Sequence, residues 1–203
     1  GEWMGRSNSD LPPKSGDREE QILALAIDLF REKGYHGTSM QDIADAIGLR
    51  KGSLYHYVSS KEELLFTIFT RAIAALVDHI SEIASTDEPA RLRLRRAIRH
   101  HLRVVAENLG MLTIFFRELP ALAPEKRREI LDGRDRYRGF FEAIITEGIA
   151  RSEFREVDPK MVTFAILGMC NGLYEWYSPQ GRLSIDDIAE SFTSLVLDGI
   201  CRK

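Results

Sequence analysis

The chain is poor in cysteine, and the two it has, Cys170 and Cys201, stand in apolar helical contexts. Such a pair reads as two reduced core thiols in a cytoplasmic protein, with a redox switch as the alternative. No apolar run approaches the roughly 18 residues that a membrane span needs, so no membrane partner is expected. The first twenty residues are polar and carry Pro12-Pro13, which argues against a secretory signal. Alternating β-branched runs never occur, so strands are not expected and the whole chain reads as helices. A glycine-rich phosphate loop, G-x-S-x-G and H-E-x-x-H are all missing, and Cys170 sits mid-helix where a thiolate would be poorly activated. These absences argue against an enzyme. His79, His100 and His101 match no metal-ligand spacing, so neither a metal nor a cofactor is expected. There is no internal repeat and no low-complexity stretch.

What the chain does have is concentrated in one run, residues 49 to 65, LRKGSLYHYVSSKEELL. It is basic at Arg50, Lys51 and Lys61, has no carboxylate before Glu62, and carries Tyr55, His56 and Tyr57 on one short predicted helix. Cations interleaved with hydrogen-bonding aromatics suit an element laid against a polyanion. The net charge of −3 does not by itself point to nucleic acid, but the local distribution does. Gly48 ends the preceding helix, and Ser60 with Glu63 forms a capping-box pattern that opens the next. Before Gly48, Ser39 is a candidate N-cap with Asp42 three residues on, and Ile43, Ala44 and Ile47 share one apolar face. Two short helices joined through Gly48-Leu49-Arg50 match a helix-turn-helix, whose second helix enters the major groove. The competing reading is an ordinary helical hairpin in a bundle core, which would not need so many exposed cations and aromatics.

Residues 22 to 65 resemble the DNA-binding domain of the TetR family of one-component regulators. The matching pieces are Ile22-Leu23-Ala24-Leu25-Ala26, Leu29-Phe30, Lys33-Gly34-Tyr35, Thr38-Ser39, Asp42-Ile43-Ala44, Gly52 to Tyr57 and Ser60 to Leu65. Val58 departs from the pattern, where the family often has an aromatic residue; only packing should change. The resemblance implies double-stranded operator DNA as a partner. Lys51 and Ser53 are the expected base readers, Gly52 lets the backbone approach, and Arg50 suits a phosphate or a guanine edge. Tyr55 and Tyr57 would donate to phosphates and His56 would meet bases or thymine methyls. The family's backbone clamp is a tyrosine and a lysine, carried here by Tyr55 and Lys61. Ser39 and Gln41 are expected to face the groove from the preceding helix.

Three segments follow from this: a leader over 1–16, a DNA-binding domain over 17–60, and a ligand-binding and dimerisation domain over 61–203. Arg6, Lys14 and Arg18 of the leader region are candidates for minor-groove contact. Helices are predicted at about 17–33, 61–84, 89–107, 109–118, 125–151, 159–177 and 185–199. Asp158-Pro159 and Ser184 with Asp187 supply start signals for the last two. Residues 161 to 177 are apolar nearly all round, and a helix apolar on every side must be covered on every side. Gly168, Gly172 and Leu195 are therefore the candidates for an isologous homodimer interface built from the last two helices.

The C-terminal domain is rich in aromatics beyond core needs. Phe115, Phe116, Phe140, Phe141, Phe164 and Tyr174, with Asn171, are candidate walls of an apolar effector cavity. Residues 91 to 103 read RLRLRRAIRHHLR, and Arg95, Arg99 and Arg103 stack on one helix face. That stripe is either a solvated face answered by carboxylates on neighbouring helices or a site for an anionic effector such as the phosphates of a coenzyme A thioester. The segment Trp176 to Ser184, with Ile188 and the Leu195 to Ile200 ending, resembles the tail of TetR-family regulators of lipid catabolism. That resemblance implies an acyl-CoA effector. A multidrug sensor controlling an efflux operon is the alternative, and it would favour acidic pocket residues.

Overall fold

A computed structural model describes residues 15–201, with side chains from residue 18 onward. The leader over 1–14, with Arg6 and Lys14, lies outside the described residues. Ser15 and Gly16, assigned above to the leader, instead begin the first helix. Among the described residues there are ten α-helices, a 3-10 turn at Leu119–Ala121 and no β-strand, with one isolated antiparallel bridge between Phe154 and Cys201. The chain divides between Leu64 and Leu65 into two compact units, four residues later than the sequence boundary at 60.

The first unit contains α1 (Ser15–Lys33), α2 (Met40–Ile47), α3 (Lys51–Leu54) and the first turn of α4 (Lys61–Ala84). Ile22, Leu23, Ala26 and Phe30 of α1 pack with Ile43 and Ala44 of α2 and Leu54 of α3 in its core. Ser39 caps α2 in a full capping box with Asp42. Gly48 takes φ +69°, in the left-handed region open to glycine, and its N–H donates to Ala44 and Asp45.

The second unit contains the rest of α4, α5 (Ala90–Glu107), α6 (Leu109–Glu118), α7 (Pro124–Ala150), α8 (Pro159–Asn171), α9 (Leu173–Trp176) and α10 (Ile185–Ile200). The predicted helix over 159–177 is broken at Gly172, where α8 ends and the single turn of α9 begins. Gly172 keeps a right-handed helical backbone, φ −56° and ψ −16°, so the break is slight and apolar composition does not mark it.

The expected absence of any apolar stretch of membrane-spanning length does not hold for α4. By length and composition it is, among the described residues, the one helix long and apolar enough. Leu65, Ile68, Phe69, Ile73, Ile80 and Ile83 are buried, as in the core helix of a folded bundle.

The start of α5 is held by a remote segment. The Glu153 carboxylate accepts from the Ala90 N–H at 3.1 Å and the Arg91 N–H at 3.0 Å, which fills the role of an N-cap side chain. Phe154, fully buried, lies against Gly148 of α7. Arg155 N–H donates to Ile200 at 2.8 Å and its Nε to Gly199 at 2.7 Å, tying the end of α10 to the same segment. Deeper in α5, Arg93 is 3% exposed, pairs with Glu147 at 2.6 Å and donates to the Ala84 carbonyl at 3.0 Å. Arg93 in turn holds the Glu147 carboxyl below its ordinary range.

Candidate functional site

In the first unit, Arg50, Lys51 and Gly52 are exposed at the start of α3, with Ser53 half-buried above the buried Leu54. Among the described residues neither Arg50 nor Lys51 has an ion pair or a side-chain hydrogen bond. The recognition helix is shorter than its composition suggests. It ends at Leu54, and Tyr55, His56 and Tyr57 lie in the turn that follows. His56 N–H bonds to Ser53 and Tyr57 N–H to Leu54, the tighter i to i+3 pattern that closes a helix. Tyr55 and Tyr57 remain 46% and 39% exposed.

Four candidates already have partners within this unit. The Ser39 hydroxyl is held by the Asp42 carboxylate in the capping box, and Lys33 pairs with the same carboxylate at 2.7 Å. Lys33 first, then Ser39, holds the Asp42 carboxyl far below its ordinary value. Gln41 Nε2 donates to Asp45 at 2.7 Å. Lys61 Nζ donates to the carbonyls of Tyr35 at 2.6 Å and Thr38 at 2.8 Å and sits over the Tyr35 ring. Lys61 thus ties the start of α4 to the loop before α2, in place of the free clamp that the resemblance implied. Arg18, suggested above for the minor groove, donates to Gln21 and to the Ile47 carbonyl at the end of α2. Ser60 Oγ accepts from Glu63 N–H at 3.0 Å, as the capping pattern requires. Val58 is buried, a packing residue.

The second unit contains a cavity of about 620 Å³ between α4, α5, α6, α7 and α8. Its apolar lining includes Ile73 and Leu76 of α4, Val104 of α5, Met111, Leu112 and Phe115 of α6, and Phe164 and Leu167 of α8. Of the seven cavity candidates outside the arginine stripe, Phe115, Phe164 and Asn171 line it, and Phe116, Phe140, Phe141 and Tyr174 do not. Phe141 is fully buried in the core and Phe140 packs against it. Phe116 stacks on Tyr174 at 5.1 Å.

The arginine stripe also faces elsewhere. Arg103 pairs with Asp186 at 2.8 Å, Arg99 with Glu190 at 3.2 Å and Asp186 at 3.5 Å, and Arg95 with Glu190 at 3.7 Å. Carboxylates on α10 answer this face, so Arg95, Arg99 and Arg103 form a helix-helix seam rather than a wall of the cavity. The cavity's own cations are on α7: Arg134, whose guanidinium lies 5.7 Å from the Phe115 ring, and Arg138, 5.1 Å from the Phe164 ring. Arg138 pairs with Asp135 and Glu142, whereas Arg134 has no carboxylate or hydrogen-bond partner among the described residues. In the sequence these residues were hidden in the polar first half of α7, where Arg134, Tyr137 and Arg138 at i, i+3 and i+4 were the available signal.

Three histidines complete the lining. His79 and His100 stack with ring centroids 3.6 Å apart, and His101 is buried between Tyr137 and Asn171. Asn171 Oδ1, 3.0 Å from His101 Nε2, only accepts, so Nε2 carries the proton and Nδ1 accepts from the Tyr137 hydroxyl at 2.9 Å. Burial pushes both His100 and His101 down to about 4, for His100 with His79 and Arg103 adding to it, for His101 with the Asn171 bond opposing it. Both histidines are therefore neutral in the fold and take protons more readily once unfolded. Their contribution is present above about pH 6.5 and is lost as pH falls towards about 4. Thermal unfolding is expected to show a falling midpoint already between pH 6.5 and 5, above the ordinary carboxylate range. His101→Gln should flatten that part of the profile.

Of the dimerisation candidates, Leu195 of α10 is 66% exposed, and Met161 of α8 is a further exposed apolar side chain. Gly168 lines the cavity, with nothing within 4 Å of an added Cβ, so no close backbone approach within the chain requires glycine there. Burial pushes the Cys170 thiol up to about 12, consistent with a core role.

A helical unit with an exposed cationic turn-helix, followed by a bundle enclosing a mixed apolar and basic cavity, is the build of a ligand-responsive DNA-binding regulator. The chain matches two family models, the bacterial regulatory proteins of the tetR family over residues 22–68 and the tetracyclin repressor-like C-terminal domain over residues 87–200. It belongs to the TetR family and is a DNA-binding transcriptional regulator, not an enzyme. It is 29% identical to the HTH-type transcriptional repressor KstR2 of Rhodococcus jostii over 94% of both chains. It is 26% identical to the fatty acid metabolism regulator protein of Bacillus subtilis over 90% of this chain and 95% of that one. Among solved structures, AibR in complex with isovaleryl coenzyme A and operator DNA is 31% identical, covering 88% of this chain and 97% of its own, with a TM-score of 0.79.

Proposed function

We propose that the protein is a homodimeric repressor of fatty-acid or lipid degradation genes that leaves a palindromic operator when an acyl-CoA thioester binds. The observation that carries this is the cavity of about 620 Å³, apolar in lining but edged by Arg134 and Arg138, in a chain similar to a regulator seen with an acyl-CoA. The volume lies within the range of small-molecule sites. Asp135 is its one lining carboxylate and is paired with Arg138, which favours an anionic effector over the cationic drugs of a multidrug sensor. The acyl chain would fill the apolar part, and Arg134, lacking an internal partner, would meet negative charge. The arginine stripe on α5 plays no part in this.

At the DNA end, Lys51 and Ser53 read bases, with Gly52 allowing close approach and Arg50 on a phosphate or guanine. Tyr55 and Tyr57 hold phosphates, and His56 meets bases. Ser39 and Gln41 support α2 through Asp42 and Asp45, and Lys61 supports the α1–α2 loop. Two such ends need half-sites one or more helical turns apart, about 34 Å, and a two-fold dimer through α8 and α10 matches the symmetry of a palindromic operator. The effector acts by binding better to the form whose recognition helices misfit the operator. A coupling of about 1–3 kcal/mol changes operator affinity by roughly 5–150-fold.

Fluorescence anisotropy on an operator selected from random DNA, with and without acyl-CoAs of graded chain length, tests the whole reading. Release by at least one thioester is expected; retention with all of them at millimolar concentration would reject the effector class. On the same operator, Lys51→Ala is expected to relax base preference at one position by about 1–3 kcal/mol. Lys61→Ala is expected to weaken all sequences alike. Uniform weakening by Lys51→Ala would remove it from the base readers.

A further inference from the structure

The floor of the cavity is more polar than a hydrocarbon chain needs. Tyr137, His101 and Asn171 form a directed chain of hydrogen bonds, with the Tyr137 hydroxyl donating to His101 Nδ1 and His101 Nε2–H donating to Asn171 Oδ1. Tyr137 is 5% exposed and His101 is 5% exposed, so the first two members are fixed in the core. All three line the cavity, and Asn171, half-buried, is the most open of them. The buried Tyr137 hydroxyl has no other acceptor among the described residues, so it donates to Nδ1; Nε2 then carries the proton, and the amide must turn its Oδ1 to it. Its Nδ2 is therefore fixed as the outward end, and it has no hydrogen-bond partner among the described residues.

We infer that the acyl group taken by this cavity carries a neutral oxygen of its own, a hydroxyl or a ketone, which accepts a hydrogen bond from Asn171 Nδ2. This deepens the effector reading proposed above and rests on it for the thioester, though not for the oxygen. A plain alkyl chain filling the site would cover Nδ2 and leave two donors without acceptors, a loss that an acceptor on the chain avoids. The neutral state of His101 sends no positive charge down the relay, so the subsite suits an uncharged acceptor, while charge is met by Arg134 on α7. His101 and Tyr137 act as positioning residues: neither needs to touch the ligand, and both decide which end of the amide faces it.

The test is calorimetry on the full chain with octanoyl, β-hydroxyoctanoyl and (ω−1)-oxooctanoyl groups, each as the coenzyme A thioester and as the free acid. At least one oxygenated member is expected to bind about 3–10-fold more tightly than the octanoyl parent, the scale of one neutral hydrogen bond. Asn171→Leu should bring the oxygenated and octanoyl affinities together. Tyr137→Phe should shrink the ratio between them, and it serves if Asn171→Leu does not fold. Equal or tighter binding of the octanoyl parent in both series, or a preference untouched in the folded variants, would overturn the inference. Binding by the acids but by no thioester would instead overturn the coenzyme A reading, and the acid pair would still decide the oxygen.

Discussion

Glu147→Ala is expected to destabilise the second unit markedly, because it leaves the buried Arg93 guanidinium without its carboxylate. The two members of the pair are not equivalent. Arg93 is almost wholly buried, with 4% of its side chain exposed, whereas Glu147 keeps 34% and has a second cation, Arg151, at 2.6 Å. Removing the carboxylate strands a guanidinium whose one other acceptor is the Ala84 carbonyl. Removing the arginine leaves a carboxylate that still has Arg151 and water. Arg93→Met, with its similar length and no charge, should therefore cost less than Glu147→Ala. In the double variant, Arg93→Met should recover part of the loss. Chemical denaturation of the four proteins measures this directly. If Glu147→Ala were the milder single change, the pair would not be acting as buried charge.

The second large effect is expected at Gly148→Ala. An added Cβ would be driven into the ring of Phe154 and would stand 3.0 Å from Ala90 Cβ. Phe154 is fully buried and its neighbour Glu153 caps α5, so the ring cannot swing out without releasing that helix start. Overpacking of this kind costs about 1–3 kcal/mol or more, which exceeds the roughly 1 kcal/mol that alanine gains over glycine in a helix. Gly139 on the same helix is the control, since its Cβ would meet nothing within 4 Å. Gly139→Ala should stabilise by about 0.5–1 kcal/mol. Urea midpoints moving in opposite directions for the two variants are the expected result; a stable Gly148→Ala would mean that Phe154 is not fixed by its neighbours. Gly148 adjoins Glu147, so the two effects are not expected to add.

Much of the helix plan was legible because its signals act within a turn. Gly48 ends α2 by adopting a backbone that other residues resist, and Ser39, Asp158 and Ser184 open helices by accepting nearby N–H groups. Pro124 and Pro159 sit where a missing N–H costs nothing. The DNA-reading end was legible for the same reason, since its candidates fall within about twenty consecutive residues. Even there, composition could not show that Lys61 and Gln41 are engaged by Tyr35 and Asp45.

The cavity was legible in kind and not in detail. An apolar cavity with cations was expected of the C-terminal half, and the cations that line it are Arg134 and Arg138 rather than the α5 stripe. A four-residue repeat shows that Arg95, Arg99 and Arg103 share a face, and it is silent on what that face meets. Rotation of α5 turns it to Asp186 and Glu190 of α10, while α7 brings Arg134 and Arg138 to the cavity. Phe141 and Phe115 are alike in sequence, yet one fills the core and the other lines the space.

By itself, then, the sequence determined the all-helical class, nearly every helix start, the family and the exposed cationic turn, because each depends on residues close along the chain. Which cations face the cavity, which histidine is buried against Asn171, and which carboxylate answers Arg93 were decided only by tertiary structure. Those depend on the rotation and crossing of helices whose contacts are up to some ninety residues apart, as for Arg99 and Glu190, and no local pattern encodes them.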